Sequence, residues 1–254
     1  MTTKSIDWNI KKRYAIISDI HGNIEGLNSI LDDIKKRGVD EIFCLWDTID
    51  IGPDSKECVD RLIDVGIKSI LWNHELYLIR GTDIEPSIVW EEKKLYEWVK
   101  NQLWKKEIDY IENCPLYYEL NIKYNNKPDK KIILTHYLIK NEKLPQPFES
   151  NHLKREISLL NKYYDEDTIY VIGHLHNDFD INGIEWIESI KRPTNIKIVE
   201  SAGCSKDNYV SYTIIEIWEK IKVKFDRNTF INKINSIDFP DKDNIKKLFY
   251  WIDI

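Results

Sequence analysis

RYAIISDIHGN, Arg13–Asn23, decides how the chain is read. Arg13–Ser18 is a short apolar run rich in β-formers, and it delivers Asp19 and His21 just past its end. From Asn23 to Arg37 the apolar residues Ile24, Leu27, Ile30, Leu31 and Ile34 recur at steps of three and four. Asn23 is placed to cap that helix and Gly38 to stop it. Glu41–Leu45 is a second strand, Ser55–Val65 a second helix closed by Gly66, and Ile67–Leu71 a third strand. This alternation predicts a parallel α/β sheet. Acidic residues and histidines follow its strands, where such sheets bind ligands.

Further along, Ser87–Asn113 reads as one long helical segment. Leu116–Tyr124 and Lys131–Thr135 read as strands around the polar turn NNKPDK, and Asn151–Tyr164 as a helix. Thr168–Ile172, Lys197–Glu200, Tyr209–Trp218 and Lys220–Phe225 read as the remaining strands. After Asn228 the chain is polar, is broken by Pro240, and closes on an aromatic stretch, Phe249–Trp251, that is either core or a dimer contact. No repeat or convincing linker divides it. The expectation is one domain over residues 1–254, with a helical insert at about 76–113 and a tail at about 228–254.

Composition narrows the function classes. At 42% hydrophobic and 31% charged residues the chain has an ordinary globular balance. No apolar run approaches the roughly 18–20 residues of a membrane span. The first residues, MTTKSIDWNIKKRY, lack the apolar core of a secretion signal, so the expected location is the cytoplasm. A net charge of −6 argues against general nucleic-acid binding. Cys44, Cys58, Cys114 and Cys204 form no CxxC pair and read as scattered thiols.

Histidine placement carries the chemistry. Of six histidines, His21, His74, His136, His174 and His176 lie in strand-end blocks beside Asp or Asn, whereas His152 falls in a charged helical stretch and reads as surface. Imidazole with carboxylate suits Zn, Mn or Fe better than the all-oxygen preference of Mg or Ca. A pair of ions ~3.5–4 Å apart needs a shared carboxylate and can clamp both oxygens of a phosphoryl transfer. Asp47 is the best candidate for that bridge.

Five blocks, Asp19-x-His21, Asp47 in WDTIDIGP, Asn73-His74-Glu75, His136 in LTHY, and Gly173-His174-x-His176, resemble in order and spacing the motifs of the calcineurin-like metallophosphoesterases. Residues 201–217 (SAGCSKDNYVSYTIIEI) and 98–120 (WVKNQLWKKEIDYIENCPLYYEL) are similar to the closing strand pair and helical insert of that superfamily's bacterial and archaeal phosphodiesterase branch. The resemblance implies a four-layer α/β/β/α sandwich, two sheets between helices, with a dinuclear metal centre at the strand ends. It implies Asp19, His21, Asp47 and His176 around one ion, and Asp47, Asn73, His136 and His174 around the other, the ions being Mn, Fe, Zn or Ni. A hydroxide bridging the ions would attack a phosphomonoester or phosphodiester, and His74 would protonate the leaving oxygen. The implied partner is a small phosphate ester, a nucleotide among the candidates. Asp50 supports the site, while Asn23 and Tyr137 are candidates for substrate contact.

The sequence departs from this pattern at Trp46 and Trp72, which stand where the family has glycine. An indole there removes backbone freedom; unless the backbone stays ordinary, metal affinity or turnover falls. The chain holds nine tryptophans and only nine glycines, against a usual glycine share of about 7%. A gene that uses UGA as a glycine codon, translated with tryptophan, would give this pattern. Tyr137 replaces a common glycine, and Ile51 stands where the protein-phosphatase and dinucleoside-tetraphosphatase branch carries arginine. Two rival readings stay open: a non-catalytic metal-binding scaffold of the same fold, and a dinucleoside polyphosphate or protein phosphatase.

Overall fold

Residues 13–71 form the strand–helix–strand–helix–strand unit that their periodicity predicts. The computed structural model of the chain describes residues 3–7, 12–71, 73–84, 88–122, 130–136, 168–174, 196–215 and 218–252. Elements in the unit are β2 (Tyr14–Ile17), α1 (Ile24–Lys36), β3 (Glu41–Cys44), α2 (Ser55–Val65) and β4 (Lys68–Ser69). Every residue of β2 is buried, as expected of a strand covered on both faces. Asn23 caps α1 by accepting the Gly26 amide at 2.8 Å, and the helix buries Leu27, Ile30, Leu31 and Ile34 on one face. Gly66 ends α2 at φ +74°, a conformation open to glycine without a side-chain clash.

Two five-stranded sheets result. The first runs β1 (Thr3–Asp7), β5 (Tyr117–Ile122), β6 (Lys130–Leu134), β7 (Thr168–Ile172), β8 (Ile196–Ile198). The second runs β10 (Glu219–Lys224), β9 (Tyr209–Ile214), β2, β3, β4. Pairings β2–β3, β3–β4, β6–β7 and β7–β8 are parallel, so the carboxyl ends of these strands emerge on one side of each sheet. The sheets face each other through one buried cluster, with the Phe43 and Tyr118 rings meeting edge to face at 5.2 Å. Helix α1 packs on β9 and β10. The helix expected at 151–164 lies outside the described residues, as does the loop joining β5 to β6, although these two strands pair as the expected antiparallel hairpin.

Two sequence expectations need correction. The single helix expected at 87–113 is two, α4 (Trp90–Lys100) and α5 (Lys105–Glu112), parted where the Trp104 amide turns to donate to the Glu107 carboxylate at 2.7 Å. The polar tail folds into α6 (Arg227–Ser236) and α7 (Lys242–Tyr250), which bury Phe230, Ile234, Ile245 and Tyr250. The lead segment supplies β1, in parallel register with β5. Among the described residues, α3 (Asn73–Arg80) completes seven α-helices, none long and apolar enough to cross a membrane.

Candidate metal centre

Main-chain ladders continue past the strand ends and hold the motif loops together. Leu45 N–H donates to Ile17 O, Asp19 N–H to Trp46 O and His21 N–H to Asp47 O, each at 2.8 Å. In the first sheet, Thr135 N–H donates to Val171 O and Gly173 N–H to His136 O at 3.0 and 2.9 Å. The two sheets join where the His174 amide donates to both Asp19 carboxylate oxygens, at 3.1 and 3.0 Å. Gly173 makes this possible: a Cβ there would come 1.9 Å from Ser18 Oγ and 2.7 Å from Asp19 Oδ2. Its role is close approach of its backbone to the Ser18 and Asp19 side chains.

Asp19, His21, Asp47, Asn73, His74, His136 and His174 converge at this junction, and all but His74 and His174 are buried. His176, Tyr137 and Trp72 lie outside the described residues. Among the described residues two groups could each hold a cation: His21, Asp47 and His74, and Asp47, His136 and His174, with ligand atoms in each group within 4.8 Å of one another. They share Asp47. Its Oδ2 lies 2.9 Å from His136 Nε2, 3.7 Å from His74 Nε2 and 3.9 Å from His21 Nε2. Its Oδ1 is buried without a hydrogen-bond partner among the described residues, and so is Asn73 Oδ1. Desolvated oxygens of this kind are costly unless something electropositive satisfies them.

Histidine tautomers point the same way. His136 Nδ1 lies 2.9 Å from the Leu45 carbonyl, which can only accept, so Nδ1 carries the proton. Nε2 then faces Asp47 and, at 3.2 Å, His174 Nδ1. Main-chain carbonyls that accept from the other ring nitrogen orient metal-binding histidines in this way. Buried imidazole and carboxylate donors with unsatisfied oxygens fit divalent ions.

Electrostatics agree. Burial alone would raise the Asp47 carboxyl, but His136, His74 and His21 hold it well below the usual range. Burial lowers His74, yet Asp47 and Asp50 outweigh it and push the imidazole up to about 10. Asp50 Oδ2 accepts from His74 Nδ1 at 2.8 Å, and the Tyr96 hydroxyl of α4 lies 2.9 Å from the same nitrogen. Glu75 Oε1 accepts the Thr48 and Ile49 amides at 3.0 and 3.2 Å, tying α3 to the Asp47 loop. Burial and Asp47 push its carboxyl well up.

Asn23 is committed to the fold. Besides capping α1 it donates to Gly203 O at 2.9 Å, so both ends of its amide are engaged and its side chain is fully buried away from solvent. Trp46 does not keep an ordinary backbone. Its φ is +85°, its indole is fully buried near Tyr110, and its Nε1 has no partner among the described residues. Of ten non-glycine residues with positive φ among the described residues, seven (Asp19, His21, Trp46, Asp47, Asp50, Ile51 and His174) lie in these loops, the concentration of strain expected where a site is over-determined. Sequence reading missed Tyr96 and gave Glu75 no role; the only signal for Glu75 was a carboxylate inside a motif block on a face shared with apolar residues.

A sequence profile of calcineurin-like phosphoesterases matches residues 12–203. An uncharacterised protein of Methanocaldococcus jannaschii is 32% identical over 175 residues, which are 67% of this chain; the chain spans 65% of that relative's length. Among solved structures, a metallophosphoesterase from Sphaerobacter thermophilus aligns over 91% of this chain and 95% of its own, with TM-score 0.62 and 18% identity. A hypothetical protein from Pyrococcus horikoshii aligns over 95% and 99%, with TM-score 0.60 and 14% identity. Likenesses at that identity establish the shared fold.

Proposed function

The chain belongs to the calcineurin-like phosphoesterase family, and from that premise we propose that it hydrolyses a phosphomonoester or phosphodiester with two divalent ions. The observation that carries the reading is the Asp47 carboxylate shared by two donor groups, of which His74 is the one member kept for proton donation while the others ligate. Asp19, His21, Asp47 and His176 would hold one ion, and Asp47, Asn73, His136 and His174 the other. Bound there, the ions supply Lewis acidity, which activates water and neutralises phosphoryl charge.

The chain's own residues do the rest. Asp47 Oδ1 and Asn73 Oδ1 offer oxygens with no competing bond. Leu45 O fixes the proton of His136 on Nδ1 and frees Nε2 to ligate. His74, held at Nδ1 by Asp50, turns Nε2 toward the centre and donates a proton to the departing oxygen.

The test is metal content and turnover on one preparation. Protein loaded with Mn should bind two ions per chain and hydrolyse p-nitrophenyl phosphate or its bis ester. Two ions without turnover on these or on a panel of nucleotide and polyphosphate esters would favour the scaffold reading; failure to bind ions would end both.

A further inference from the structure

His74 Nδ1 has two partners that come from different parts of the fold. Asp50 follows β3 and can only accept, so the Nδ1 proton points toward it. The Tyr96 oxygen faces the same N–H from α4 and is therefore a second acceptor in a three-centre bond. Tyr96 is buried, and Tyr77 of α3 braces its ring edge to face at 5.7 Å with an interplanar angle of 82°. A ring held by one acceptor retains a soft pivot about that bond. Two acceptors converging on Nδ1 fix its plane, and hence the direction of Nε2.

Building on the phosphoesterase reading, we propose that Tyr96 is a positioning residue for His74: with Asp50 it locks the imidazole so that Nε2 meets the leaving oxygen, and α4 thereby tunes which leaving groups the enzyme accepts. Hydrolysis breaks the ester P–O bond, forms a P–O bond to the oxygen of water, and transfers a proton to the departing oxygen. A p-nitrophenolate leaves readily without that proton. Phenolate and alkoxide depend on it. Precise placement of the donor therefore matters most for basic leaving groups.

The experiment compares Tyr96→Phe with the unaltered protein, both loaded with Mn, on phenyl phosphate and p-nitrophenyl phosphate or the corresponding diesters. Tyr96→Phe should bind two ions, unfold at a similar temperature, and lose about tenfold more kcat on the phenyl than on the p-nitrophenyl ester, with KM little changed. In a His74→Ala background the same change should have no further effect. Equal loss on both esters, no loss on either, or a full effect without His74 would overturn the proposal. An unaltered protein that binds two ions but hydrolyses neither ester overturns instead the phosphoesterase reading on which it rests.

Discussion

His136 and Leu45 are joined by a 2.9 Å hydrogen bond from imidazole Nδ1 to a main-chain carbonyl, so a strand of one sheet sets the tautomer of a histidine presented by the other. With Nε2 thus made the donor atom, His136→Ala should lower metal content from two ions toward one. Turnover should fall ~100-fold or more, beyond the 10–100-fold typical of losing an orienting partner alone. Elemental analysis beside kcat measures both.

Asp47 and His74 sit 3.7 Å apart yet should fail differently. Asp47→Asn removes the carboxylate common to both donor groups and is expected to empty both sites. His74→Ala is expected to keep two ions and lose ~10²–10⁴ in rate. The reverse pattern would exchange the two roles.

Glu75 separates a structural carboxyl from a functional one. Its Oε1 accepts two loop amides, and burial with Asp47 nearby favours the neutral acid. Glu75→Gln keeps an acceptor oxygen of the same shape and should change stability by under ~1 kcal/mol, whereas Glu75→Ala should cost about 3 kcal/mol. Urea titrations of the two variants check the difference; equal losses would show that the charge matters.

Asp54 gives a pH dependence of known sign. Burial pushes its carboxyl up to about 6, Glu25 adds to the rise, and Lys233, 2.7 Å away, opposes it. Unfolded, it titrates near ~3.9. Between those values the folded chain holds the extra proton, so its contribution to stability is complete below ~3.9 and is lost as pH rises through about 6. Compared with Asp54→Asn, the unaltered protein should be relatively more stable at pH 4 than at pH 7. Denaturant midpoints at both values, with no change in the gap between the two proteins, would refute this.

Three of the six tryptophans among the described residues, Trp46, Trp218 and Trp251, have φ of +85°, +49° and +50°. A positive φ occurs in a few per cent of non-glycine residues and is routine for glycine. Trp251 caps α7 in the left-handed conformation where helices usually place glycine. The expected outcome is a UGA codon at these three positions and glycine in the peptides that span them when the native protein is analysed by mass spectrometry. UGG codons would remove that expectation.

Local periodicity made the second sheet legible. In β2, α1, β3 and α2 the apolar spacing, the Asn23 cap and the Gly66 stop all agree. It failed where apolar spacing ran on through a break, as at Trp98 and Leu103, because an apolar residue at a helix junction still finds cover. It failed again in α6 and α7, whose few buried residues sit among charges and gain their stability from packing on the rest of the fold. The convergence of His21, His74, His136, His174 and Asp47 was legible because metal-ligating residue types recur at strand ends. Tyr96 was not, since nothing local distinguishes a tyrosine facing the His74 imidazole from one filling a core. Asn23 was legible as the cap of α1, an amide placed directly before an apolar run of helical spacing.

The Tyr250 hydroxyl donates at 3.4 Å to the carbonyl of His21, 229 positions earlier, while Lys233 bridges Glu25 and Asp54. During synthesis the first motif loop therefore leaves the ribosome long before the residues that brace it. Metal captured by a nascent chain would meet an unbraced loop.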